Sequence, residues 1–174
     1  MDDYPEELAP EFEDSGAVKT PFDIWWPQVN HHFENVPENV AKHWLHRHWS
    51  HSPYSWLRSK NYKFNLTNWE SKELGKIWSR WYKIDIEECV KHGEGLVNKL
   101  DFWLKNYMVE HHDYPEPIIV LDNRDNHLDV DAPNHNFPAS YLLIEGHLRF
   151  NISLYLQRTD RFTQNTKIWL MKRI

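Results

Sequence analysis

The chain has 174 residues and a formal net charge of −6, and its ten Trp outnumber its five Gly. That length holds one ordinary domain with an appendage, or two small ones, and suffices for a real core. No apolar run approaches the roughly 18 residues of a membrane span, and the acidic N-terminus lacks the apolar stretch of a secretory signal. The single cysteine, Cys89, has no internal disulfide partner. Together these point to a cytoplasmic protein with no membrane partner. The charge is segregated along the chain. Residues 1–41 hold ten acids and one base, 39–69 hold no acid but five Lys/Arg and four His, and 149–174 hold six bases against one acid. Such segregation is informative about partners rather than about fold.

Residues 1–20 are acidic, interrupted by proline and short of apolar periodicity, and read as a disordered or loosely docked tail. They also form an acidic arm suited to a basic surface, either the chain's own or a protein partner's. Residues 21–81 read as a small helical module packed by tryptophans. Pro37 opens a helix to about Trp49, since proline is tolerated in a first helical turn. Thr67-Asn-Trp-Glu70 is a capping-box pattern and predicts a second helix from about Asn68 to Arg80, striped by Trp69, Ile77, Trp78 and Trp81. His43, His46, His48 and His51 cluster without a recognised zinc-ligand spacing, so no metal site is assigned. Arg47, Arg58, Lys60 and Lys63 are interleaved with Trp44, Trp49, Tyr54, Trp56 and Tyr62. Cations that neutralise phosphates beside rings that stack on bases make a candidate nucleic-acid surface.

Residues 82–174 alternate strand and helix signals and predict an α+β domain. Lys83–Ile86 is a short strand candidate, with Asp85 as the cap of the following turn. Glu94 lies between Gly93 and Gly95 in a predicted turn, and Leu96, Leu100, Trp103, Leu104, Tyr107 and Met108 trace one face of a predicted amphipathic helix. Ile118-Ile-Val-Leu121 suits a strand buried on both faces. The long segment 122–140 carries Asp122, Asp125, His127, Asp129, Asp131 and His135. It lacks the glycine and terminal glutamate of a calcium loop, and its 127–131 alternation suggests an extension of the hairpin. Its carboxylates are candidates for holding Mg2+ together with a nucleotide.

Tyr141–Glu145 reads as a buried strand and Gly146 breaks it. From there Leu148, Ile152, Tyr155 and Leu156 recur at helical spacing. A strand feeding a helix through one glycine leaves unbonded N–H groups at the positive end of the helix dipole, which suits phosphate. His147 and Arg149 add two phosphate-binding side chains to the same turn. Glu145, Gly146, His147 and Arg149 are therefore the candidate phosphate-binding residues.

Glu145-Gly-His-Leu-Arg149 between a strand and a helix resembles the ParB/sulfiredoxin-like superfamily. Many members of that superfamily carry Asp-Gly-His-His-Arg there, and ParB proteins carry Gly-Glu-Arg-Arg. Leu148 replaces the second histidine. Pro115–Asn123 resembles the family's Pro-Ile-Val-Val strand, Lys83–Gly95 its first box, residues 96–110 its first helix and Lys167–Lys172 its closing strand. The resemblance covers residues 82–174 and implies a small mixed sheet with helices. It also implies that Glu94 is the catalytic carboxylate facing the phosphate turn, as in free-serine-kinase-like and CTPase members. Sulfiredoxin activity is not expected, because that motif needs a cysteine where His147 stands. A chromosome-partitioning ParB is not expected either, since the chain ends at Ile174 without the helix-turn-helix such proteins carry.

Three functions stay open at this level. One is a phosphate- or nucleotide-binding protein, extending to a nucleotide hydrolase or phosphotransferase. Another is a DNA- or RNA-binding protein or nuclease using the same turn with Arg47, Arg58, Lys60 and Lys63. The third is an inactive module that docks a protein.

Overall fold

A computed structural model describes residues 5–50, 52–81 and 85–174. The chain divides into two compact units, one of residues 1–64 with 172–174, the other of residues 65–171. His51 and residues 83–84, half of the predicted 83–86 strand, lie outside the described residues. No helix among the described residues is long and apolar enough to cross a membrane.

The first unit is an aromatic core built on short helices. Helix α1 (Phe22–Val29) buries Trp25, Trp26 and Val29. Helix α2 begins as one α turn at Glu38–Val40 and continues as a π-helix over Ala41–His46. The helix expected after Pro37 is therefore present, in a wider winding that buries Trp44 and Leu45. Trp49 meets Trp25 edge-on at 5.6 Å and Phe33 at 6.2 Å, an arrangement worth about 0.5–1.5 kcal/mol per pair beyond area burial. The described part of the acidic segment is docked rather than free. Phe12 bridges Val18, Trp25 Nε1 donates to the Leu8 carbonyl at 2.8 Å, and His46 Nε2 lies 2.8 Å from the Thr20 carbonyl.

The second unit is α+β, as its sequence predicts. Its strands are β1 (Tyr62–Glu70), β2 (Ile77–Trp78), β3 (Ile118–Asp122), β4 (Tyr141–Glu145) and β5 (Asn165–Arg173), the first and last running past the unit's boundary. They form a mixed sheet in the order β1-β5-β3-β4-β2. β3 runs parallel to β5 and antiparallel to β4, while β2 adds to β4 in parallel. β3 is buried from Ile118 to Leu121, as four consecutive apolar β-formers require. Helices α3 (Ile86–Lys99), α4 (Trp103–His111) and α6 (His147–Arg158) contribute Cys89, Leu96, Met108, Phe150, Ile152, Leu154 and Leu156 to a core shared with Ile118, Val120, Ile168 and Leu170. A one-turn helix, α5 (Leu128–Asp131), interrupts the connection between β3 and β4.

Four local expectations are corrected. The capping-box helix at 68–80 does not form. β1 continues to Glu70, then a 3-10 turn spans Ser71–Lys76 and leads into β2. The Thr67 hydroxyl donates to the Asn65 carbonyl at 3.2 Å instead of accepting from a helical N–H, and sheet pairing overrides the local cap signal. Gly93-Glu94-Gly95 is not a turn but the interior of α3, which starts early because Asp85 accepts from the Glu87 and Glu88 amides at 3.0 and 3.4 Å. The predicted helix from Leu96 to Met108 is broken, with Leu100 and Phe102 extended between α3 and α4. Asp101 holds that break by accepting from Asn106 Nδ2 at 2.8 Å, and this bond, with the nearby charge of Lys105, holds its carboxyl below the usual range. Finally, the 127–131 segment is helical rather than an extension of the hairpin. Buried Asn123 draws it in, accepting from the Leu128 amide at 3.0 Å and donating to the Pro138 carbonyl at 2.8 Å.

Candidate phosphate-binding turn

The predicted strand–glycine–helix turn is present in the second unit: β4 ends at Glu145, Gly146 is the N-cap, and α6 begins at His147. Gly146 has φ +98°, a left-handed conformation that an L side chain rarely adopts. Space imposes the same choice, because a Cβ there would lie 2.6 Å from Ile118 Cγ2 and 3.1 Å from Arg149 Nη2. No side chain caps α6. Its first N–H groups therefore have no intrahelical acceptor and sit at the positive end of a 12-residue helix.

The four candidate residues are brought together, yet they divide into two roles. Arg149 points under the turn. It pairs with the Glu145 carboxylate, and its Nη1 donates to the Glu116 carbonyl at 2.7 Å and more weakly to Pro117 at 3.4 Å. The two side chains are only 8% and 12% exposed, so the guanidinium charge is matched inside the fold. Arg149 thus fastens the start of β3 to the end of β4 and shapes the turn from below. His147 is half-buried at the surface, with its ring 5.1 Å from that of Trp81. Trp81 is 66% exposed, a costly position for an indole, and Leu148, next to His147 in the chain, is also exposed.

One helical turn on, Asn151 Nδ2 donates to His92 Nδ1 at 2.8 Å, while its Oδ1 is buried with no hydrogen-bond partner. At the same level α6 crosses α3 closely, since a Cβ on Gly93 would meet the Asn151 carbonyl oxygen. Gly93 thus serves a close approach of helix on helix. Glu94 itself is exposed in mid-α3, adjacent to the buried Gly93 that faces α6.

Two acidic residues of the 122–140 segment are bonded to neighbouring side chains. Asp122 forms two 2.8 Å bonds with Arg124, whose guanidinium lies 4.4 Å above the Tyr141 ring. Asp125 bonds His127 Nδ1 at 2.6 Å, which holds its carboxyl below the usual range. Among the described residues no three His, Cys, Asp or Glu side chains are grouped to hold a metal ion.

Arg47, Arg58, Lys60 and Lys63 belong to the first unit, whereas the Gly146 turn belongs to the second. Arg47, Lys60 and Lys63 are exposed and Arg58 is half-buried. The rings expected to stack bases beside them are mostly core: Trp44, Trp49, Tyr54 and Tyr62 are all buried. A tryptophan at helical spacing packs inward unless something opposes it, and here α2 buries Trp44. Sequence spacing puts Trp81 on the stripe of a helix that does not form, and so does not reveal its contact with His147. No protein-family model, curated protein or solved structure matches this chain.

Proposed function

We propose that the second unit is a ParB/sulfiredoxin-like domain that binds a nucleotide at the Gly146 turn. The phosphate lies on the α6 amides and His147, and the base lies on Trp81. The observation that carries the reading is the exposed Trp81 indole beside His147 at a helix start that no side chain caps. Amides at a helix start favour an anion, and an exposed indole offers a stacking face. The order of β3, β4, the Gly146 turn, α6 and β5 supports the family assignment. Arg149 acts as a positioning residue, since its charge is already matched by Glu145. Mg2+ would arrive with the nucleotide's phosphates, because Asp122 and Asp125 are already bonded to Arg124 and His127 and no three acids or histidines are grouped among the described residues. The position of Glu94, exposed in the middle of α3, favours binding over catalysis.

The test is calorimetric titration of the full chain with ATP, GTP and CTP, each with and without Mg2+. Binding of at least one is expected. Trp81→Ala should weaken it by about 1–3 kcal/mol, the usual worth of one stacked base. Binding that is indifferent to Trp81→Ala, or absent for every nucleotide, would overturn the reading.

A further inference from the structure

At the opposite end of α6 the second unit holds an open cleft of about 350 Å³, lined by Glu70, Lys72, Gln157, Asp160, Phe162 and Gln164 among others. That size lies within the range of small-molecule sites. Its walls are tied together by the backbone. The Ser71 amide donates to the Gln164 carbonyl at 2.9 Å, and the Ser71 hydroxyl donates to the Thr163 carbonyl. α6 ends at Arg158, and the chain reverses through Asp160 at φ +53°, with the Arg161 amide returning to the Leu156 carbonyl at 2.7 Å. Phe162 packs at 5.2 Å on Tyr114, which fixes an aromatic ring in the cleft lining.

The charges around this cleft are unevenly matched. Lys72 is paired with Glu70, Arg158 is bonded to Glu87 at 2.7 Å, and the Arg161 guanidinium lies over the Tyr155 ring at 5.6 Å. Asp160 pairs with no cation among the described residues. The C-terminal end of α6 adds the negative pole of its dipole to the same place. Gln157, Gln164 and Phe162 also line the cleft, bringing amide side chains of a kind that accepts and a ring of a kind that binds a cation. We propose that this cleft is a binding site for a small organic cation, an ammonium or guanidinium group on a short apolar stem. The head group sits between Asp160 and the glutamine carbonyls, and the stem lies on Phe162. Such a group comes either as a free amine or as the side chain of a basic peptide.

The test is an NMR titration of the full 15N-labelled chain with agmatine, with an arginine-containing tetrapeptide, and with glucose and glutamate as neutral and anionic controls. The expected result is a saturable shift of the Gln157 and Gln164 side-chain amides with agmatine or the peptide, and none with the controls. The tighter of the two binders identifies the source. Asp160→Asn keeps a residue that tolerates the left-handed conformation. It should weaken agmatine about fivefold, the size of one exposed charge contact. Phe162→Leu should weaken it a further few-fold, because the apolar surface remains but the ring is gone. Equal shifts with glucose, no shifts at tens of millimolar agmatine, or an unchanged affinity in Asp160→Asn would overturn the proposal.

Discussion

Two alanine substitutions two residues apart in α3 should change stability in opposite directions. At Gly93 an added Cβ would lie 2.0 Å from the Asn151 carbonyl oxygen, 2.6 Å from its carbon and 3.1 Å from Tyr155 Cβ. Ordinary contact begins near 3.4 Å, so α3 and α6 would have to part by more than an ångström. The obstacle is backbone, which cannot rotate aside as a side chain can. Gly93→Ala should therefore fall at the upper end of the about 1–3 kcal/mol cost of overpacking. At Gly95 nothing lies within 4 Å of the same atom. Gly95→Ala should stabilise the chain by about 0.8–1.0 kcal/mol through helix propensity alone. Urea and thermal unfolding of the full chain, followed by far-UV circular dichroism, measure both. For a chain of this size, Gly95→Ala should raise Tm by roughly 2–4 °C and Gly93→Ala should lower it by several times that. If the two variants came within about 0.5 kcal/mol of each other, the close α3–α6 crossing would be refuted, since surface substitutions scatter by that amount.

Two further outcomes follow from buried groups. Arg149→Met leaves the Glu145 carboxylate without its partner beneath the turn, and chemical denaturation should show a loss of about 3–5 kcal/mol. Adding Glu145→Gln to it should recover part of that loss, and strict additivity would contradict the pairing. Burial, reinforced by Asp85 and Glu88, pushes the Cys89 thiol up to about 11. The folded state therefore holds this proton more tightly than the unfolded chain, and its contribution is complete below pH 9 and lost as pH rises toward 11. A disulfide-exchange reagent at neutral pH should modify Cys89 only as fast as the chain unfolds, and prompt reaction in the native state would refute the buried placement.

The elements legible in the sequence are those whose local signals agree with the sheet. Ile118–Leu121 and Tyr141–Glu145 are apolar runs that the fold buries as strands, and Gly146 marks their boundary with α6 because both its φ and the nearness of Ile118 demand it. The failures arise where a local pattern competes with a distant partner. Thr67–Glu70 has the spacing of a cap, but pairing within the sheet decides its conformation. Leu100 and Trp103 have the spacing of a core stripe, yet they are 52% and 68% exposed because Asp101 breaks the helix between them. In the candidate site the residues are in place, but sequence spacing could not show that Arg149 faces inward. That follows from Glu145 and the Glu116 carbonyl converging below Gly146, contacts made by segments some thirty residues apart. The contact of Trp81 with His147 is equally hidden, because it joins separate parts of the chain.

The central claim is that a phosphate-bearing ligand sits on the start of α6, and amide mapping tests it most directly. The full chain labelled with 15N is titrated with the nucleotide that binds best in calorimetry, and in parallel with inorganic phosphate. The account predicts that the backbone amides of His147, Leu148 and Arg149 and the Trp81 indole N–H shift together and saturate with the nucleotide. Inorganic phosphate should move the amides but leave the indole in place, since it carries no base to stack. Shifts confined to the neighbourhood of Arg47, Lys60 and Lys63, with the α6 amides unmoved, would contradict it.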